Sequence, residues 1–322
     1  MHMNVPLNAP SSHAALTLFR RPGAWPSTRA RGRDPILAVF AAACLVVAAW
    51  SSTAAAGADT IATAKQAITR SDWPGLVHAL DDPHVRDGDT LPLSAELSAI
   101  PGTDFDRAAD SIEAVASPLP TSSPGRRAAM EILARAWMLR AMQLPSDSRA
   151  AALTRSRAAL TEAARLGSGA ASLELGLTSS ATDAAGSQRH FAEAVENASA
   201  SLEVRLTAFR ELAERATTSD ALKRTLALAP GLREPVEQAN EVSNRSTFTS
   251  AVALLEGRSQ NWKAACASLV SLVELGVCRP PLGAAKLDDD LVHQIGAHTN
   301  CTAADQYARW QTTCAAASTA KP

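Results

Sequence analysis

The chain has 322 residues, 46% of them hydrophobic but only 4% aromatic, with 31 basic residues against 32 acidic ones. That length supports one or two domains with a real core, and the balanced charge excludes a strongly basic nucleic-acid binder and a highly charged disordered tail. Much of the apolar content is alanine and leucine, which lead the helix-propensity ranking. Sheet-rich domains lean instead on aromatic and β-branched residues, so the composition predicts an all-α fold.

Residues 1–58 read as an Arg-rich leader followed by an export signal. Arg20, Arg21, Arg29, Arg31 and Arg33 face only Asp34, and no charge occurs from Pro35 to Ala58. Without this segment 26 basic and 31 acidic residues remain, so the rest of the chain is mildly acidic and offers little to nucleic acid or anionic lipid. The apolar run Ile36–Trp50 has the length of a signal core and is short for a spanning helix, and Ala56-Gly57-Ala58 fits a signal-peptidase site. The arginine flank stays inside, which places the following chain across the membrane. Cleavage near Asp59 gives a periplasmic or secreted chain. The alternative is an uncleaved single-pass anchor in the inner membrane, with membrane attachment through this segment. Cys44 lies inside the apolar run rather than at its end, which argues against acylation.

The rest of the chain divides into amino-terminal helices over 59–116, a linker over 117–125, a helical domain over 126–317 and a tail over 318–322. Asp59–Arg70 and Trp73–Leu80 are expected to pair around Ser71-Asp72. Residues 81–103, rich in Asp, Pro and Gly, read as looser chain, and Phe105–Ala116 as a helix. The segment Ser117-Pro-Leu-Pro-Thr-Ser-Ser-Pro-Gly125 is the linker. Beyond it Ala129, Ile132, Leu133, Ala136 and Trp137 follow the spacing of a buried helical face that ends near Leu144, before Pro145. Ser146 or Asp147 can cap the next helix, with Leu153, Leu160, Ala163 and Ala164 on its stripe. Further helices fit 170–180, 187–199, 201–216, 219–228, 232–243, 246–257, 261–276, 286–298 and 303–317. Helices of this length with short joints predict an array of antiparallel hairpins, an α-solenoid-like arrangement.

Ala163-Ala164-Arg-Leu-Gly167-Ser-Gly-Ala170-Ala-Ser-Leu-Glu-Leu175-Gly176 resembles the core of a Sel-one-like repeat, a branch of the tetratricopeptide-like superfamily. Small residues there let one helix approach another, and Gly167 can end a helix without a Cβ penalty. A degraded copy starts 31 residues later with Phe191, Ala194, Val195, Ala198, Ser201 and Leu206, and Thr207 stands where the second glycine would be. Arg70-Ser-Asp-Trp73-Pro-Gly-Leu76 and Arg258-Ser-Gln-Asn-Trp262-Lys-Ala-Ala265 each set a tryptophan after a polar turn, as in looser repeats of this kind. The resemblance covers 160–212 most clearly and implies peptide or protein binding on a helical surface, with no chemistry.

The reactive side chains do not assemble into a motif. His293 and His298 are five residues apart after Asp288-Asp289-Asp290, and only Asp289 with His293 has a spacing that shares a helix face. Asp81-Asp82-Pro83-His84 reads as a helix end and turn. Asp87-Gly88-Asp89 lacks the further oxygen ligands of a calcium loop. Glu131 and Glu162 read as lone helix carboxylates. There is no Gly-rich phosphate loop, His-Glu-x-x-His or Gly-x-Ser-x-Gly. No catalytic residue, metal ligand or cofactor is assigned.

Four cysteines follow the leader, Cys266, Cys278, Cys301 and Cys314. An even count beyond an export signal predicts two disulfides. Helices over 261–276 and 303–317 would separate Cys266 from Cys278, and Cys301 from Cys314, by about 15 Å or more, against about 7 Å allowed between bridged Cα atoms. If the two outer helices of an up-down-up path run parallel, the favoured pairs are Cys266–Cys301 and Cys278–Cys314. Antiparallel packing would give Cys266–Cys314 and Cys278–Cys301. Together these readings predict an exported, non-enzymatic helical-repeat scaffold that binds a protein or peptide partner in the bacterial envelope. The alternatives are an accessory factor in cell-wall or envelope maintenance that acts with a catalytic partner, and a divergent hydrolase using the carboxyl-terminal Asp/His cluster.

Overall fold

The computed structural model describes residues 55–85, 89–276 and 285–309, and their regular elements are all helices. The Arg-rich leader and its apolar run, Asp87-Gly88, Cys278, Cys314 and the tail lie outside the described residues. Ala56-Gly57-Ala58 fall in the first turn of α1 (Ala55–Thr69).

The chain from α1 to α4 is punctuated by caps and prolines. Ser71 takes a left-handed φ of 55°, and Asp72 then accepts a hydrogen bond from Gly75 N at 2.9 Å to start α2 (Trp73–Leu80), which packs back on α1. The stretch expected to be looser contains a further helix, α3 (Leu91–Ser98), and α4 begins early, at Gly102, and runs to Ala116. Pro92 reads as a breaker in sequence, yet it occupies the first turn of α3, where its missing N–H has no helical partner to lose. Pro124 does the same for α5 (Pro124–Gln143), with Ser123 as the cap, so the break after α4 is shorter than the nine-residue linker expected.

From α5 to α9, successive helices pack on one another. Antiparallel pairing of α5 with α6 (Ser146–Arg165) follows from three cross-links: Arg126 to Glu162, Ser156 Oγ to Ala134 O, and Arg149 Nε to Ala141 O. Gly167, at φ +88°, ends α6 and turns the chain into α7 (Gly169–Ser179). α8 (Ala184–Glu196) returns along α7, with Ser187 Oγ donating to Gly176 O at 2.6 Å and Asn197 Nδ2 to Gly167 O at 2.6 Å. α9 (Leu202–Arg215) packs on α8. Two short helices, α10 (Ser219–Leu226) and α11 (Pro230–Ala239), then lead to α12 (Val242–Arg258). α12 lies beside α9 in the same direction: Phe248 stacks on Phe209, and Arg258, ten residues on, reaches the carbonyls of Ala213, Glu214 and Ala216 that end α9. α13 (Trp262–Glu274) packs on α12, and the end of α14 (Asp289–Thr299) meets the start of α13, before a helical stretch over 302–309.

Two apolar clusters form the core. The first draws residues from Ala64 to Leu175, from both sides of the 117–125 segment, and the second runs from Ala170 to Tyr307. They meet on α7. Ala171 and Leu175 face the first cluster, Ala170 and Leu173 the second, and α7 is buried nearly all round. At Gly176 that approach leaves no room for a side chain. A Cβ on Gly176 would lie 2.5 Å from the Phe191 ring.

Candidate functional site

Three open grooves lie between neighbouring helices. The first, about 520 Å3, is bounded by α4, α5 and α6. Trp137 forms its floor, and the stripe that predicted its burial is correct: it is 8% exposed. Phe105 meets the ring edge-to-face at a centroid distance of 4.6 Å, and the Arg155 guanidinium covers it at 4.8 Å. Charges line the rim. Arg155 Nη1 donates to Asp110 Oδ1 at 3.0 Å, and Glu113 stands exposed nearby. Glu162 accepts from Arg165 at 2.7 Å and from Arg126 at 2.8 Å, and these bonds, Arg165's first, hold its carboxyl below the usual range against the opposing effect of burial. Glu162 is therefore not the lone carboxylate read in the sequence.

The second groove, about 600 Å3, lies between α8, α9 and α10. Its lining is mostly alanine and leucine, with exposed Arg189 and Arg224 against Glu196. The third, about 470 Å3, lies between α11, α12 and α13 over Phe248, and sets Arg233 and Arg245 against Glu237 and Glu274. Each groove has an apolar base and a charged rim.

A separate polar cluster is sealed inside the first core. Arg135 Nε donates to Glu174 Oε1 at 2.6 Å, Arg135 Nη1 to Thr90 Oγ1 at 2.9 Å, and Thr90 Oγ1 to Glu131 Oε2 at 3.1 Å. Arg135, Glu131 and Glu174 are each 2% exposed. Burial pushes the Glu174 carboxyl up, Arg135 opposes the shift, and the charge of Glu131 adds to it. Glu174 Oε2 has no hydrogen-bond partner among the described residues. In the sequence Glu131 reads as isolated. The available signal was Arg135 four residues later on the same helix, with both charges set among apolar neighbours. Sealed from solvent, this cluster can orient helices and hold a proton, but it offers no reacting atom to a substrate.

Asp81, Asp82, His84, Asp288 and His298 serve local structure, and Asp289 and His293 stand exposed on α14. Asp288 caps α14 by accepting from Leu291 N at 2.8 Å, and His298 stacks on Trp262 with centroids 4.6 Å apart. Asp82 accepts from Thr60 and from the backbone and ring of His84. The His84 backbone bond leads in holding its carboxyl down at about 2. Asp81 accepts from Ser123 Oγ at 2.6 Å and Gly125 N at 3.0 Å, tying the end of α2 to the start of α5. Among the described residues no group of three or more His, Cys, Asp or Glu side chains could hold a metal ion. Also among them, no helix is long and apolar enough to cross a membrane.

Cys266 and Cys301 form a disulfide with Cα atoms 5.9 Å apart, one of the two pairs favoured by the helix argument. Cys301 follows the end of α14, and the bond links it to the first turns of α13 beside the Trp262–His298 stack. Cys278 and Cys314 lie outside the described residues. No family model, curated protein or solved structure matches the chain.

Proposed function

We propose that this protein is an exported, non-enzymatic helical-repeat scaffold that binds a protein or peptide partner in the bacterial envelope. The observation that carries the reading is the set of open interhelical grooves with apolar bases and charged rims. Such surfaces suit extended or helical peptide segments, which need an apolar anchor and polar contacts to fix register. A solenoid-like arrangement is supported by the antiparallel hairpins α5–α6 and α7–α8 and by the side-by-side packing of α9 and α12. Export is supported by the uncharged run after the arginines and by the Cys266–Cys301 bond, since disulfides persist in oxidising compartments.

The test is cross-linking and affinity capture of the tagged full chain from envelope fractions, with amino-terminal sequencing of the recovered protein. A reproducible partner and a mature chain starting near Asp59 are expected. A membrane-bound chain of full length would select the anchor form. Turnover of peptidoglycan or a simple ester by the purified chain alone would overturn the scaffold reading.

A further inference from the structure

The three grooves differ in what their charges already do. In the groove of α4, α5 and α6, Arg126 is committed: it donates to Leu119 O at 2.9 Å as well as to Glu162, and its side chain is only 18% exposed. Arg155 is held more loosely. Its side chain is 52% exposed, and its ion-pair partner, Asp110, is 65% exposed. Its guanidinium nonetheless lies over the face of Trp137 with a carboxylate at its edge. An aromatic face below and a carboxylate beside it is the arrangement that receives a guanidinium from another molecule. Here the chain occupies its own subsite.

The rest of the groove favours the same ligand. Asp110, Glu113 and Glu162 face Arg126 and Arg155. When Arg155 swings into solvent, Asp110 is released beside Glu113, while Glu162 stays paired with Arg126 and Arg165. The Glu113 carboxylate has no side-chain partner among the described residues. The groove of α8, α9 and α10 has the opposite balance and no aromatic floor, and that of α11, α12 and α13 is balanced. The chain after the leader is acidic as a whole, which draws a basic partner toward it.

We propose that the groove between α4, α5 and α6 binds an arginine side chain of a basic peptide segment, which replaces Arg155 over Trp137 and pairs with Asp110 and Glu113. The inference rests on the peptide-binding reading above and names the partner chemistry for one groove. Arg155 then acts as an internal competitor: it covers the tryptophan when the groove is empty and sets a threshold for entry.

Fluorescence anisotropy of the purified full chain tests this with a labelled, carboxyl-amidated hexapeptide carrying two arginines among glycines, and with the same peptide carrying citrulline in their place. Citrulline keeps the shape and removes the charge. The arginine peptide should bind at least about tenfold tighter than its citrulline counterpart, and the difference should shrink with added salt. Arg155→Ala should tighten binding of the arginine peptide about three- to tenfold by removing the competitor. The double variant Asp110→Asn, Glu113→Gln should weaken it about tenfold. All three positions are exposed, so circular dichroism should show the fold intact in each variant.

Equal binding of the two peptides, binding of neither, or an affinity unchanged by Arg155→Ala would overturn the proposal. Envelope capture with the double variant separates this failure from that of the scaffold reading. If the groove ignores the arginine peptide while a partner is still captured at wild-type yield, the groove assignment falls and the scaffold reading stands.

Discussion

Glu174 lies on α7 between Leu173 and Leu175, and it faces Arg135 across the first core. A carboxyl there meets the desolvation cost of its charged form, and one guanidinium among two carboxylates offsets it only in part. Its pKa is raised above the ordinary 4.5 in the folded chain. The folded chain therefore keeps a proton that the unfolded chain has released. The stabilisation is fully present below the unfolded value and is lost as pH rises from there through the raised folded value. Urea midpoints should fall across that window, and Glu174→Gln should flatten the slope; a wild-type midpoint independent of pH would contradict the account. Arg135→Met, which strands the buried carboxylates, should cost about 3–5 kcal/mol at neutral pH and less in acid, where Glu174 is protonated. Gly176 is decided by sterics rather than charge. Gly176→Ala puts a Cβ into the fully buried Phe191 ring, and equilibrium unfolding should show a loss of about 1–3 kcal/mol.

Among the elements, prolines were the least legible signal. Pro92 and Pro124 lie in stretches read as loop and linker, yet each opens a helix, because a first-turn residue needs no N–H partner. The apolar stripe read on α5 is buried throughout, although residues 128–138 are buried on every side rather than on one face, and Trp73–Leu80 is readable from its Ser71-Asp72 break. The carboxyl-terminal elements depend on a covalent link. The Cys266–Cys301 bond spans a sequence separation of 35 residues, so closing that loop should stabilise the fold by about 3–4 kcal/mol. Cys266→Ser should lower the urea midpoint accordingly, and added reductant should then have no further effect at this bond. A variant as stable as the oxidised wild type would show that packing of α13 on α14 suffices without it.

At the scale of the whole molecule, α7 belongs to both apolar clusters, so neither can lose its packing without disturbing the other. Trp137→Ala removes the floor of the first groove, at a cost of about 3–5 kcal/mol. Because α7 couples the cores, that loss should move a single cooperative transition rather than release a separate amino-terminal step. Near-ultraviolet dichroism and far-ultraviolet dichroism should report coincident midpoints for wild type and variant. Two resolved transitions would show that the clusters unfold independently.

The sequence by itself determined that the described chain is helical, where most helices lie, and that Trp137 and its apolar neighbours on α5 are buried. Those properties follow from alanine-rich composition, 3.6-residue periodicity and local capping, which act within a few residues. It also narrowed the disulfide choice, because cysteines separated by most of a helix lie too far apart to bond. Only the tertiary structure decided that Glu131, Arg135, Glu174 and Thr90 meet, that Arg155 covers Trp137, and that Gly176 lies under Phe191. Each of these joins residues on different helices, and their meeting depends on how those helices cross and stack, which no local periodicity encodes.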